Sequence, residues 1–210
     1  MTDPIILYAE ELWDSPYVFS VFVALHEKKL PFIERVLDLD RGEQRTDDYR
    51  ARSLTARVPC IEHDGFTLSE SLAIHEYLDE TFPEPRLLPA DVRDRARARQ
   101  ILGWLRSDLM PLREDRPTST IFYEHAQKPM SERGLAAAHK LIDVSERLIP
   151  AAGGALFGTW SIADADLAFM LHRLILNDEP VPARVHAYAS AQWQRPSVQA
   201  FANHVRPAKK

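Results

Sequence analysis

Ser15 is the residue of this chain best placed to do chemistry. Four apolar, β-compatible residues, Ile5-Ile6-Leu7-Tyr8, read as a buried strand, and residues 9–14 follow as a polar loop. Ser15 then opens a helix: it is a favoured N-cap, and Pro16 suits the first helical position, where a missing N–H costs nothing. Val18, Val21, Phe22 and Leu25 continue at helical spacing, and Lys28-Lys29 fall in the last turn, where positive charge suits the helix dipole. A strand, a loop and a hydroxyl at a helix N-terminus make a place to hold an anion, because free backbone N–H groups and the positive end of the helix converge there. The same residues also serve as a plain helix cap, so the choice between the two readings falls to the rest of the chain.

Other residue types that could react are read as structural. Cys60 has no CxxC partner, and alternation along Pro59-Cys60-Ile61-Glu62 turns it towards a core, as a small buried hydrophobe. His26-Glu27 and His75-Glu76 lack the second histidine of a zinc-binding helix, and the eight histidines form no metal set. There is no GxSxG elbow, P-loop or GxGxxG turn. Alternate arginines from Arg93 to Arg99 spread around a helix and are offset by Asp91 and Asp94. They read as a solvated or interdomain-facing surface rather than an RNA-binding face.

The bulk properties narrow the class. With 210 residues the chain can bury a substantial core in one large or two small domains. No stretch approaches the roughly 18 apolar residues of a membrane span, and the first residues lack the order of a signal peptide. A single cysteine excludes an intrachain disulfide framework and fits a reducing compartment, so the cytoplasm is the expected location. Residues 1–82 carry a net charge of −9 and the remainder +4. That asymmetry suggests separate modules, neither of them an electrostatic trap for nucleic acid.

The elements that must position Ser15 follow from pattern. Residues 31–37 read as a second strand, which makes the opening β-α-β with a right-handed crossover. Residues 38–57 are polar, a loop with a short helix. Two short β runs flank Asp64-Gly65, a strong hairpin signal. Thr67-Leu68-Ser69-Glu70 has the form of a capping box and leads into a helix through Leu78. Pro83, Pro85 and Pro89 mark a linker. Beyond it the chain is helical, with one stripe at Leu102, Leu105, Leu109 and Leu112, a second at Leu135, Ala138, Leu141, Ile142 and Leu148, and a third at Leu167, Met170, Leu171 and Leu174. Ser161-Ile162-Ala163-Asp164 resembles a capping box with aspartate in place of glutamate and opens the third.

These motifs carry a family resemblance. The stretch from Ser15 to Lys29 resembles the first helix of serine-type cytosolic glutathione transferases, most like the tau, zeta and omega group. Arg57-Val58-Pro59-Cys60-Ile61 with Leu68-Ser69-Glu70-Ser71-Leu72-Ala73-Ile74 is similar to that family's second glutathione-binding segment. Residues 161–167 resemble the capped helix of its C-terminal domain. Many relatives carry arginine where Ser20 stands, which weakens assignment to any one class but not to the family.

The resemblance implies an α/β thioredoxin-like domain over residues 1–82, a linker over 83–92 and an all-helical domain over 93–210, usually as a homodimer. It implies glutathione as co-substrate, with no other cofactor and no metal. Ser15 would hydrogen-bond the glutathione sulfur and stabilise its thiolate. Val58 would pair through its backbone with the cysteinyl part, across a cis bond to Pro59. Glu70 would meet the γ-glutamyl ammonium, Ser71 the neighbouring carboxylate, and Arg57 the glycyl end. Trp104, Asp108, Met110, Arg113 and Tyr123, on or just after the first leucine stripe, are the candidates for holding a second, electrophilic substrate. The expected activity is conjugation of glutathione to small electrophiles, with reduction of organic hydroperoxides as a side activity. Two alternatives share the scaffold: a thiol-disulfide or dehalogenating enzyme, disfavoured because omega-type relatives place cysteine at the Ser15 position, and a non-catalytic binding or regulatory protein.

Overall fold

The computed structural model describes residues 4–208, and the chain divides into two units between Leu87 and Leu88. The first unit is built on a sheet of order β2-β1-β3-β4: β1 (Ile5–Glu10), β2 (Phe32–Leu37), β3 (Cys60–His63) and β4 (Phe66–Ser69). β2 runs parallel to β1, whereas β3 and β4 are antiparallel to their neighbours. Ile5, Leu7 and Ala9 are buried to 2% exposure or less, so β1 lies at the centre because it can bury one complete face and pair on both edges. It extends to Glu10, two residues past the apolar run, so the loop before Ser15 is shorter than the sequence suggests. The β3–β4 turn places Asp64 at φ 49° and Gly65 at φ 78°, the left-handed pair that a two-residue hairpin requires.

The helices of this unit are α1 (Pro16–Glu27), α2 (Asp47–Arg52), which follows a 3-10 turn at Glu43–Arg45, and α3 (Ser71–Thr81). α1 is buried continuously from Val18 to Leu25, well beyond a single stripe. Its one polar residue in that run, Ser20, meets His75 Nε2 of α3 at 3.1 Å, which satisfies a buried hydroxyl. Lys28 does not serve the dipole as an exposed charge. Its buried ammonium meets Asp79 Oδ1 at 2.7 Å and donates to the carbonyls of Phe82 (2.6 Å) and Pro85 (2.8 Å), pinning the chain that leaves α3. The expected capping box at residues 67–70 does not form. Thr67 belongs to β4, and Glu70 itself is the N-cap, at φ 74° and without a side-chain cap bond.

The last residues were expected in the helical domain, yet from Ala200 onward the chain groups with the first unit. Phe201, fully buried, packs edge-to-face on Trp13, Phe19 and Phe22. Arg206 gives its guanidinium to the carbonyls of Trp13, Phe201, Ala202 and His204.

The second unit is helical: α4 (Val92–Ser107), α5 (Met110–Asp115), α6 (Ser119–Phe122), α7 (Glu132–Leu148), α8 (Ile162–Ile175), α9 (Ala183–Trp193) and the start of α10 (Pro196–Ala202). The first leucine stripe is interrupted at Leu109, whose φ of 63° ends one helix and starts the next while its side chain stays buried. α8 is the axis of the unit, buried from Ile162 to Leu174. Asp164 Oδ2 accepts from the Ser161 N–H (2.9 Å) and hydroxyl (3.0 Å), so aspartate does close the box at its start. Its Oδ1 accepts from Leu156 N–H and the Tyr188 hydroxyl. Among the described residues, no helix is long and apolar enough to cross a membrane.

Candidate active site

Strand register gathers the site at one end of the sheet. Tyr8 faces Cys60 and Cys60 faces Ser69, so the C-terminal end of β1, the start of β3 and the end of β4 share one edge. β2, parallel to β1, ends there too. The segments that carry Ser15, Arg57-Val58-Pro59 and Glu70-Ser71 all enter or leave at this edge, as does the 38–57 connection.

Ser15 Oγ accepts hydrogen bonds from the main-chain N–H groups of Tyr17 and Val18, each at 3.3 Å, as an N-cap does. Both bonds use oxygen lone pairs. The hydroxyl proton is left to donate, and the side chain is half-buried, within reach of a ligand. Ser15 N–H donates to Glu10 Oε1 at 2.8 Å. Burial pushes the Glu10 carboxyl up to about 7, against the lowering effect of that N–H. The sequence placed Glu10 in a loop and gave it no role. Its position at the last residue of a central strand, buried beside Ser15, emerges only from the fold.

Arg57 and Val58 are held from behind. The Arg57 carbonyl accepts from the Tyr49 and Ser53 hydroxyls, both at 2.9 Å, and the Arg57 N–H donates to Ser53 Oγ at 3.2 Å. The Val58–Pro59 bond is cis. Val58 lines a cavity of about 480 Å³ together with Gln44, Arg45, Arg50, Thr55 and Arg57. No ion pair or side-chain hydrogen bond engages the guanidinium groups of Arg45, Arg50 and Arg57 among the described residues, although this half of the sequence is strongly acidic. Three free cations around one hollow suit an anionic group. Arg45 and Arg50 could not be singled out in a polar segment of weak periodicity.

Glu70 stands next to this cavity: its Oε1 accepts from the Thr55 hydroxyl at 3.2 Å. A non-glycine residue at φ 74° is strained, and such conformations cluster at ligand sites. Ser71, buried, is the first residue of α3. Cys60 is fully buried on β3, and burial lifts its thiol to about 11, far from a nucleophile's range at neutral pH.

The residues expected to hold a second substrate are in the helical unit. Trp104 Nε1 donates to Asp108 Oδ2 at 3.0 Å, and Lys140 pairs with the same carboxylate. Arg113 reaches the Arg106 carbonyl at 3.3 Å. Met110 is 48% exposed, and Tyr123 is the C-cap of α6. Within this unit a cavity of about 400 Å³ is lined by Arg97, Ile101, Trp104, Val144, Arg147 and Leu148. Trp104 alone of the five candidates borders it.

Residues 14–81 match the family model of the glutathione S-transferase N-terminal domain, and residues 91–206 that of the C-terminal domain. The chain belongs to the glutathione S-transferase family. Its fold is that of the family, a small mixed sheet with helices followed by a helical domain. A glutathione transferase homologue from Burkholderia, solved with bound glutathione, is 44% identical with a TM-score of 0.79, over 95% of this chain and 96% of that one. A maleylacetoacetate isomerase from Methylobacterium extorquens AM1, solved with malonate and glutathione, is 29% identical with a TM-score of 0.73, over 97% and 100% of the two chains. The maleylacetoacetate isomerase of Dictyostelium discoideum is 38% identical over 109 residues, 51% of this chain and 49% of the relative. The chain spans about half the length of the curated relatives it matches.

Proposed function

We propose that this glutathione S-transferase binds glutathione at the sheet edge described above and directs its thiolate at an electron-poor carbon of a small second substrate. The observation that carries the reading is the Ser15 hydroxyl. It caps α1 with its lone pairs and keeps its proton for an anion at the helix N-terminus. A free thiol has a pKa near 8.5 and is largely protonated at neutral pH; a hydroxyl donor and a helix N-terminus both favour the anion. The tripeptide fits the remaining groups: the cysteinyl backbone against Val58, the glycyl carboxylate among Arg45, Arg50 and Arg57, and the γ-glutamyl ammonium and carboxylate at Glu70 and Ser71.

Maleylacetoacetate isomerases among the relatives favour a second outcome of the same first step. Thiolate addition to an activated cis double bond forms a C–S bond and leaves a carbanion. Protonation of that carbanion gives a stable thioether. Rotation about the former double bond and expulsion of the thiolate give the trans isomer, with glutathione recovered. Hydroperoxide reduction is a third use of the same thiolate, with a second glutathione consumed to give the disulfide.

Retention on immobilised glutathione, with elution by free glutathione, tests the binding. Product analysis on an aryl halide, a cis-activated olefin and an organic hydroperoxide separates thioether, isomer and disulfide. A protein that is neither retained nor active on any of the three overturns the reading.

A further inference from the structure

Glu10 is the only buried acid among the described residues of the first unit, with 5% of its surface exposed. Oε1 accepts the Ser15 N–H at 2.8 Å, whereas Oε2 is buried without a hydrogen-bond partner. Nearly every buried polar group in a native protein is partnered, and a half-satisfied buried carboxyl costs stability. An uncharged acceptor would anchor the loop as well, so its placement beside Ser15 calls for a role in the site.

We propose that Glu10 is a positioning residue of the thiol site, which fixes Ser15 through its main-chain N–H and whose ionisation opposes formation of the thiolate that Ser15 receives. The inference rests on the glutathione reading above. A carboxylate bound to the Ser15 nitrogen lies within a few ångströms of the Ser15 hydroxyl, so its charge and that of a sulfur bound there repel each other across a poorly screened gap. While neutral, Glu10 adds no negative charge to that of Asp14 and the sulfur at the helix head. Once ionised, it competes with the sulfur. Burial raises the carboxyl to about 7, the main-chain N–H groups of Ser15, Glu10 and Asp14 oppose that rise and the Asp14 charge adds to it, so the competition falls at physiological pH.

Charged groups on the neighbouring elements are otherwise engaged. Arg206 is bound to four carbonyls, and His204 stacks on Trp13 and meets Glu34 at 3.2 Å. Asp38, after β2, is held by Arg41.

The test is the ultraviolet absorbance of the bound thiolate against pH in wild type and Glu10→Gln. The wild-type curve should be broader than a one-proton titration. The variant should follow a one-proton curve with its midpoint about one unit lower, the size expected of one like charge at this range. A purely structural role would change affinity and stability without changing the shape of the curve. Superimposable curves in two proteins that both bind glutathione overturn the inference alone. Absence of a thiolate band in wild type overturns the glutathione reading, and this inference with it. A second measurement needs no variant: in the free protein the Ser15 amide nitrogen resonance should titrate near pH 7, and a flat response between pH 5 and 9 overturns the proposal.

Discussion

A serine hydroxyl that already accepts two amide protons has one proton left to give, and at Ser15 that proton decides how the residue can act. Ser15→Ala should raise the pKa of bound glutathione by about one to two units, since a hydrogen bond to a charged group is worth about 1.5–3 kcal/mol. Turnover at neutral pH should fall by about ten- to a hundredfold and partly return at higher pH, while affinity changes little. Spectral titration of the bound thiol checks this, and overlapping curves refute it. Glu70→Ala should weaken glutathione binding by about 2–3 kcal/mol, read by calorimetry, as a charge-assisted contact is lost. Cys60→Ser should retain turnover and lose some stability, because a hydroxyl replaces a buried apolar group. Glu10 carries its own signature in stability. Its pKa is raised on folding from 4.5 to about 7, so across that window the unfolded chain gains by ionising before the folded one does. Stability should therefore fall by up to about 3 kcal/mol as pH rises through it, and Glu10→Gln should flatten the profile in chemical denaturation.

At the level of elements, the signals that survived folding are those whose chemistry is complete within a few residues. Ser15-Pro16 opens α1, Asp64-Gly65 turns β3 into β4, and Ser161 with Asp164 closes the start of α8. The motif at residues 67–70 has the letters of a cap, but Thr67 pairs with Glu62 in β4, and α3 begins only at Ser71, too far along the chain for Thr67 to cap it. The leucine stripe through Leu109 crosses two helices because burial of each leucine was legible and the left-handed turn between them was not. The site divides in the same way. Ser15, Val58 and Glu70 sit at element boundaries that sequence marks, whereas Glu10, Arg45 and Arg50 become neighbours of the site only when strand register is set. The box at α8 gives an element-scale test. Asp164 accepts four hydrogen bonds from three residues in a fully buried position, so Asp164→Ala should cost about 3–5 kcal/mol, measured by denaturant unfolding. A loss under 1 kcal/mol would refute the account of α8 as an axis held by this residue.

Across the whole molecule, the shift from an acidic to a basic half marked two modules, and the break at Leu87 falls inside the proline-rich stretch that suggested a linker. The return of the last residues to the first unit had no local signal, because Phe201 and Arg206 declare nothing until Trp13 and its carbonyl are in place. Their return also bears on synthesis. The helical unit is one uninterrupted stretch and can complete its core while the chain is still being made. The unit that carries Ser15 is made in two pieces: the packing on Trp13, two residues before Ser15, is incomplete until Phe201 has left the ribosome. A nascent chain stalled short of that point should hold a formed helical half and a first half in which Trp13, Phe19 and Phe22 lack the ring that covers them, a surface in need of shelter during the protein's own manufacture.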